Sequence, residues 1–206
     1  MASFGYQILG FGSGGPPPPE FIAASGGCVT TDGNFKVHTF LSSATFTVCS
    51  VGNEAGSNTV NYMVVAGGAA GGGRPHGGGG GAGGYRASGH GPCDSRGSAL
   101  PVCAQDYPIT VGAGGSANCS PPFQGVSGSN SIFSTITSAG GGGGGGGGPG
   151  TGKGNTGGSG GGSGGNPTTP SCLAGAAGNT PPVSPPQGNN GGNGSGIGGN
   201  YHQGGG

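Results

Sequence analysis

Gly140-Gly141-Gly142-Gly143-Gly144-Gly145-Gly146-Gly147-Gly148-Pro149-Gly150-Thr151-Gly152-Lys153-Gly154-Asn155-Thr156-Gly157-Gly158-Ser159-Gly160-Gly161-Gly162-Ser163-Gly164-Gly165 is the stretch on which the fold turns. A helix is excluded, because each interior glycine costs about 1 kcal/mol relative to alanine. An ordinary strand is excluded too, because there are no side chains to pack on a sheet. A flexible linker and an extended helix of the polyproline II kind remain. Fixing a backbone costs roughly 1–2 kcal/mol per residue, and a hydrogen bond returns a net of about 1 kcal/mol. A lone thread therefore cannot order itself. Such a stretch orders only in a close-packed bundle of like threads bonded sideways, the arrangement called polyglycine II.

Composition agrees with a chain held by its backbone. Of 206 residues 61 are Gly and 17 Pro, with 29% apolar and 5% charged. There is no strict Gly-X-Y period, which excludes collagen. A formal net charge of +0 is unlike the charged, disordered class. With five Lys plus Arg the chain lacks the means to neutralise phosphates, so nucleic acid is not an expected partner. No run approaches the ~18 apolar residues of a membrane helix, so no membrane insertion is expected. The opening Met1-Ala2-Ser3-Phe4-Gly5-Tyr6-Gln7-Ile8-Leu9-Gly10 has neither a basic nor a sustained apolar region, and it does not read as a signal peptide.

Outward from the glycines the chain divides at 27 and at 138. Residues 1–27 form a leader in which Pro16 to Pro19 make a stiff spacer. Phe4, Tyr6, Ile8, Leu9 and Phe11 are too few for a core, and residues 1–20 are expected to dock onto neighbouring proteins. Residues 28–138 carry period-two alternation and β-branched residues, the marks of an antiparallel β-rich domain. Its strands are expected at Phe35 to Leu41, Thr45 to Val48, Thr59 to Ala66, Tyr107 to Val111 and Ser131 to Thr137. A glycine block at 67–84 and a cysteine-containing loop at 88–106 interrupt it. Residues 139–206 are the glycine region, with Pro167 to Pro170 and Pro181 to Pro186 expected to fold threads back. Unfolded to full length that region would exceed roughly 200 Å. The fold class is thus mostly β and irregular: a small antiparallel domain, a polyglycine II-type bundle and Gly/Pro-rich loops, with no α-helix.

Chemistry-bearing motifs are few. Gly147-Gly148-Pro149-Gly150-Thr151-Gly152-Lys153-Gly154 approaches a phosphate-binding loop, but Gly154 stands where Ser or Thr would hold magnesium, and no helix former follows. The histidines have no metal spacing, and no Cys-x-x-C pair exists. No catalytic constellation, cofactor site or metal site can be assembled, and an enzyme is not expected. Cys28, Cys49, Cys93, Cys103, Cys119 and Cys172 are an even set; they read as small buried hydrophobes or as disulfides formed after release, with Cys93 and Cys103 the first choice of pair. Asn118-Cys119-Ser120 and Asn193-Gly194-Ser195 match the glycosylation pattern by chance.

Flat glycine faces are chemically plain, so recognition falls to the loops that carry scarce donors and rings. These are Arg74 and His76, His90 and Arg96, and Tyr201 and His202. Arginine and aromatic groups suit carbohydrate or protein contacts. The plainer reading of each loop is an ordinary solvated turn.

The ordered islands Asn61-Tyr62-Met63-Val64-Val65-Ala66-Gly67-Gly68, Gly83-Gly84-Tyr85-Arg86, Tyr107-Pro108-Ile109-Thr110-Val111-Gly112-Ala113-Gly114-Gly115 and Asn130-Ser131-Ile132-Phe133-Ser134-Thr135-Ile136-Thr137-Ser138 carry a resemblance. The chain resembles the glycine-rich domain of bacteriophage tail fibres and related virion structural proteins of aquatic phages. The resemblance implies a non-enzymatic virion protein, often trimeric, made in the host cytoplasm and released by lysis. It would contact host surface carbohydrate or protein, or decorate the particle. The cysteine loop at 93–119 and the Pro-interrupted tail depart from that pattern. The alternative is a self-assembling extracellular fibril whose leader inserts into the next subunit. An ice-binding surface would need a regular Thr or Ala array, which the tail lacks.

Overall fold

The computed structural model describes residues 15–73, 75–148, 150–165, 172–197 and 200–206. Among these residues there is no α-helix, only one 3-10 turn at Cys93–Ser95. Short, mostly antiparallel sheets flank a bundle of extended threads, most of them at one end and the pair Ser195–Ile197 with Asn200–His202 at the other. The mostly-β, helix-free architecture read from composition is the one observed.

The main sheet has the spatial order Ala23–Ser25, Ala44–Ser50, Asp106–Thr110, Ser131–Phe133 and Ile136–Ser138, all antiparallel. Alternation in Ala44–Ser50 buries Phe46 and Val48 and leaves the intervening positions more open. Phe46 sits edge-on to Phe133 at 5.9 Å and to His38 at 5.1 Å, and Tyr107 meets Phe133 at 6.0 Å. Val48, Val64 and Val102 complete this small core. The Tyr107 hydroxyl accepts the Cys103 N–H at 2.8 Å, which satisfies the one polar atom carried into the cluster by that ring.

Three sequence expectations change. The alternation over 131–137 is not one strand; it is a tight hairpin of Ser131–Phe133 and Ile136–Ser138. Ser134 makes the reversal with a positive φ of 53°. The run from Thr59 to Ala66 is two short strands, Thr59–Val60 and Met63–Val65, which pair with different partners. Ala23–Ser25, inside the expected leader, is an edge strand of the sheet. Just before it, Asn53 ties down the proline spacer: its side chain donates to the Pro18 carbonyl at 2.8 Å and accepts the Glu20 N–H at 3.0 Å. Most of the docking segment expected at 1–20 lies outside the described residues.

The glycine blocks continue these strands. Met63–Val65 pairs antiparallel with Tyr85–Ser88, and the pairing runs on into threads 66–73 and 77–84. There the ladder changes period. Ala66, Ala69 and Gly72 donate to Gly84, Gly81 and Gly78, while Gly67, Ala70 and Gly73 donate to Ser129, Val126 and Phe123. Bonds to one neighbour recur at every third residue, as an extended helix with three residues per turn requires.

Thread 139–147 is the hub. It runs parallel to 66–73 (Gly141, Gly144 and Gly147 donate to Gly67, Ala70 and Gly73) and antiparallel to 77–84 (Gly78, Gly81 and Gly84 donate to Gly145, Gly142 and Ala139). Every N–H from Ala139 to Gly148 has an acceptor. Thread 157–165 bonds to 77–84, 139–147, 151–156, 172–178, 187–194 and 203–206, a closed ring of neighbours. Threads this close leave no room for Cβ atoms, and 140–146 are all buried. The bundle read from 140–165 is therefore present.

Side chains stand in where threads are missing. The third amide row of the hub, Gly140 and Gly143, donates to Asn130 Oδ1 at 2.9 Å and Ser127 Oγ at 3.1 Å. Gly175 and Gly178 likewise donate to Asn193 and Asn190. Threads 172–178 and 187–194 run antiparallel through Gly191 and Ala176, so the chain does fold back at Pro181 to Pro186. Asn179 accepts from Val183 and Gln187 there. Buried Gln187 accepts the Ala139 N–H at 2.8 Å and donates to the Pro181 carbonyl at 3.0 Å. The fold-back expected at Pro167 to Pro170 lies outside the described residues.

Candidate functional site

The bundle interior has almost no side chains, so chemistry can reside only at its ends. At the sheet end a two-stranded hairpin, Cys28–Asp32 with Phe35–Thr39, projects from the body and is exposed along nearly its whole length. Its two-residue turn opens on Gly33 at φ 55°, the position at which a tight hairpin turn favours glycine. His38 anchors it from below: its Nδ1 lies 2.8 Å from the Gly26 carbonyl and its ring is edge-on to Phe46. The sequence places His38 on a solvated face; the structure half-buries it as this anchor.

His90 faces the hairpin from a glycine-flanked turn, Gly89-His90-Gly91, in which both glycines have positive φ. The imidazole meets the Phe35 ring edge-on at 6.3 Å. Between them opens a cleft of about 460 Å³ lined by Asp32, Gly33, Asn34, Phe35, Val37 and His90. It offers an aromatic face, a carboxylate, an amide and an imidazole, all solvent-accessible. Arg96 supports the loop from behind, donating from Nε to the Gly91 carbonyl at 2.7 Å.

At the far end of the threads His76 makes the turn from 66–73 into 77–84, with a φ of 77°. Its carbonyl accepts the Gly165 N–H, and its Nδ1 lies 3.2 Å from Gln203 Nε2. Gln203 follows the strand Asn200–His202, in which Tyr201 pairs with Gly196 and His202 with Ser195. The structure thus brings the loop at 76 and the segment at 201–203 together at one tip. Thread 77–84 runs from that tip to the sheet end, about 25 Å at the rise of an extended helix, which separates this pair from His90 and Arg96. Arg74 lies outside the described residues.

Sequence reasoning missed the partners of His90. Asp32, Asn34 and Phe35 were legible as a hairpin tip from Asp32-Gly33 between β-branched runs, but nothing in the sequence points that tip at residue 90. All six cysteines are exposed, so the buried reading is not realised. Among the described residues no cluster of His, Cys, Asp and Glu could hold a metal ion. Thread 151–156, at the near phosphate-loop motif, is a bundle thread whose Gly152 carbonyl accepts from Gly164. Among the described residues no helix is long and apolar enough to cross a membrane.

Residues 42–206 match the family model of the glycine-rich domain, which spans the main sheet except its edge strand Ala23–Ser25, together with the bundle. The chain belongs to the glycine-rich domain family. No curated protein and no solved structure matches it. The matched segment begins after the projecting hairpin, so the glycine-rich domain supplies the bundle and only the His90 side of the cleft.

Proposed function

We propose that this glycine-rich domain protein is a non-enzymatic structural component of a bacteriophage virion, in a tail fibre or surface fibre, that contributes to host attachment. One observation carries the reading: a bundle of backbone-bonded threads, nearly free of side chains inside, carries the Phe35 and His90 cleft at one end and the His76 and Gln203 contact at the other. Such a bundle resists bending because each thread is bonded on several sides. It separates a particle-facing end from a host-facing end without spending apolar side chains on a core. The resemblance of the ordered islands to phage fibre domains supports the same assignment. The tip at His76, His202 and Gln203 and the cleft at Phe35 and His90 are the surfaces available for host carbohydrate or protein. Copies of the chain associate, in threefold symmetry, with residues 1–20 engaging other virion proteins.

Gold-labelled antibody against the chain should decorate fibres on purified phage particles. Replacing Arg74 and His76 together by alanine should lower adsorption to host cells without altering assembly. Phe35→Ala with His90→Ala tests the cleft in the same assay. Labelling of no particle would overturn the virion assignment. Unchanged adsorption in both variants, and in matching changes at Arg96 and Tyr201, would leave the chain as a spacer.

The exposed hairpin favours a second reading, a self-assembling extracellular filament, because its outer edges offer unpaired backbone for strand addition. A helical array of copies would support that reading, and closed threefold symmetry on a particle would exclude it.

A further inference from the structure

Threads 66–73 and 77–84 lie side by side, and the bonds they make dictate where their remaining groups point. The C=O and N–H of one planar trans peptide unit point in opposite directions. The amides of Gly67, Ala70 and Gly73 donate to thread 123–130, so the carbonyls of Ala66, Ala69 and Gly72 face the other way. The carbonyls of Gly79 and Ala82 accept from Gly162 and Ser159, so the amides of Gly80 and Gly83 face away from thread 157–165.

Both rows meet in one groove. A Cβ at Gly83 would strike the Ala66 carbonyl oxygen, one at Gly80 that of Ala69, and one at Gly77 that of Gly72. Within the described residues these carbonyls and the amides of Gly77, Gly80 and Gly83 have no hydrogen-bond partner. The groove is open: Gly68 and Gly71 are exposed, and a Cβ built on Gly68 would find its nearest atoms, Gly81 O and Gly83 N, at 4.0 Å.

We propose that this groove is a docking slot for an extended glycine-rich segment of a second copy of the chain. It presents one acceptor row and one donor row, each repeating every third residue, which is the spacing of the threads themselves. Its occupant must donate along one side, accept along the other, and carry no bulky side chain against either wall. At a net charge of +0 copies of the chain do not repel one another. Flanking positions around the same two threads are already filled by threads of the same repeat. The inference is independent of where the protein acts, because it rests on backbone geometry alone.

The test uses the full chain and Gly68→Val, which places a branched side chain in the slot from a Cβ that meets no atom closer than 4.0 Å. Light scattering should give the wild type a mass that is a multiple of 18.9 kDa and the variant 18.9 kDa. Hydrogen-exchange protection at 141–146 should be the same in both. A wild type that stays at 18.9 kDa at tens of micromolar, or a variant that keeps the wild-type mass, would overturn the proposal. Should the variant fail to fold, dilution of the wild type decides. The amides of Gly80 and Gly83 should be protected in the oligomer and exchange freely once it dissociates. Free exchange at both in the intact oligomer would place the contact elsewhere.

Discussion

Replacing Gly144 by valine tests whether the hub is held by close thread packing. A Cβ there would overlap the Gly78 carbonyl oxygen and approach Gly72 N at 2.7 Å and Gly78 C at 2.9 Å. All three atoms are backbone, in two threads fixed on their other sides, so no side chain can swing away. The threads must separate. Separation puts at risk the bonds from Gly144 to Ala70 (3.0 Å), from Gly125 to Gly144 (2.9 Å), from Gly72 to Gly78 (2.8 Å) and from Gly78 to Gly145 (2.8 Å). At about 1 kcal/mol net for each of these bonds, with overpacking strain of about 1–3 kcal/mol, the variant should lose roughly 5–7 kcal/mol. That is comparable with the whole stability of a typical domain, about 5–15 kcal/mol. Denaturant titration would read the loss, and exchange at 141–146 would locate it. A variant that kept full protection there and lost under about 1 kcal/mol would exclude close packing as the source of order.

Two further substitutions test the groups that replace missing threads. Ser127→Ala with Asn130→Ala removes the acceptors of Gly143 and Gly140, so exchange at those two amides should accelerate while Gly141 and Gly144, bonded to thread 66–73, keep their protection. Uniform acceleration along the hub would show instead that the side chains hold the bundle as a whole. Gln187→Ala leaves the buried Ala139 N–H without its acceptor and should cost about 1–3 kcal/mol, read as a lower denaturation midpoint; an unchanged midpoint would mean that water or backbone replaces that contact.

Much of this architecture was legible without coordinates. Glycine at 140–148 excludes helix and sheet for steric and entropic reasons that no tertiary context reverses, which leaves the extended thread. Phe46, Val48 and Tyr107 announced themselves by alternation. The pair Ser127 and Asn130 was not recognisable, because a period of three among polar residues has meaning only once a thread lies beside them. Gln187 looked like part of a proline-rich loop, and its burial follows from the place where that loop lands. The hairpin at 131–138 was hidden because two strands of three residues, joined by Ser134 and Thr135, give the same alternation as one longer strand.

By itself, the sequence determined that this chain is built from short strands and backbone-bonded threads, since its residues permit little else. Only the tertiary structure decided which threads are neighbours, and hence that His76 meets Gln203 while His90 meets Phe35 at the opposite end. Glycine threads carry no side chains to encode a partner. Their order is set by where the strands that feed them enter the bundle and by the few Asn, Ser and Gln groups that close its edges.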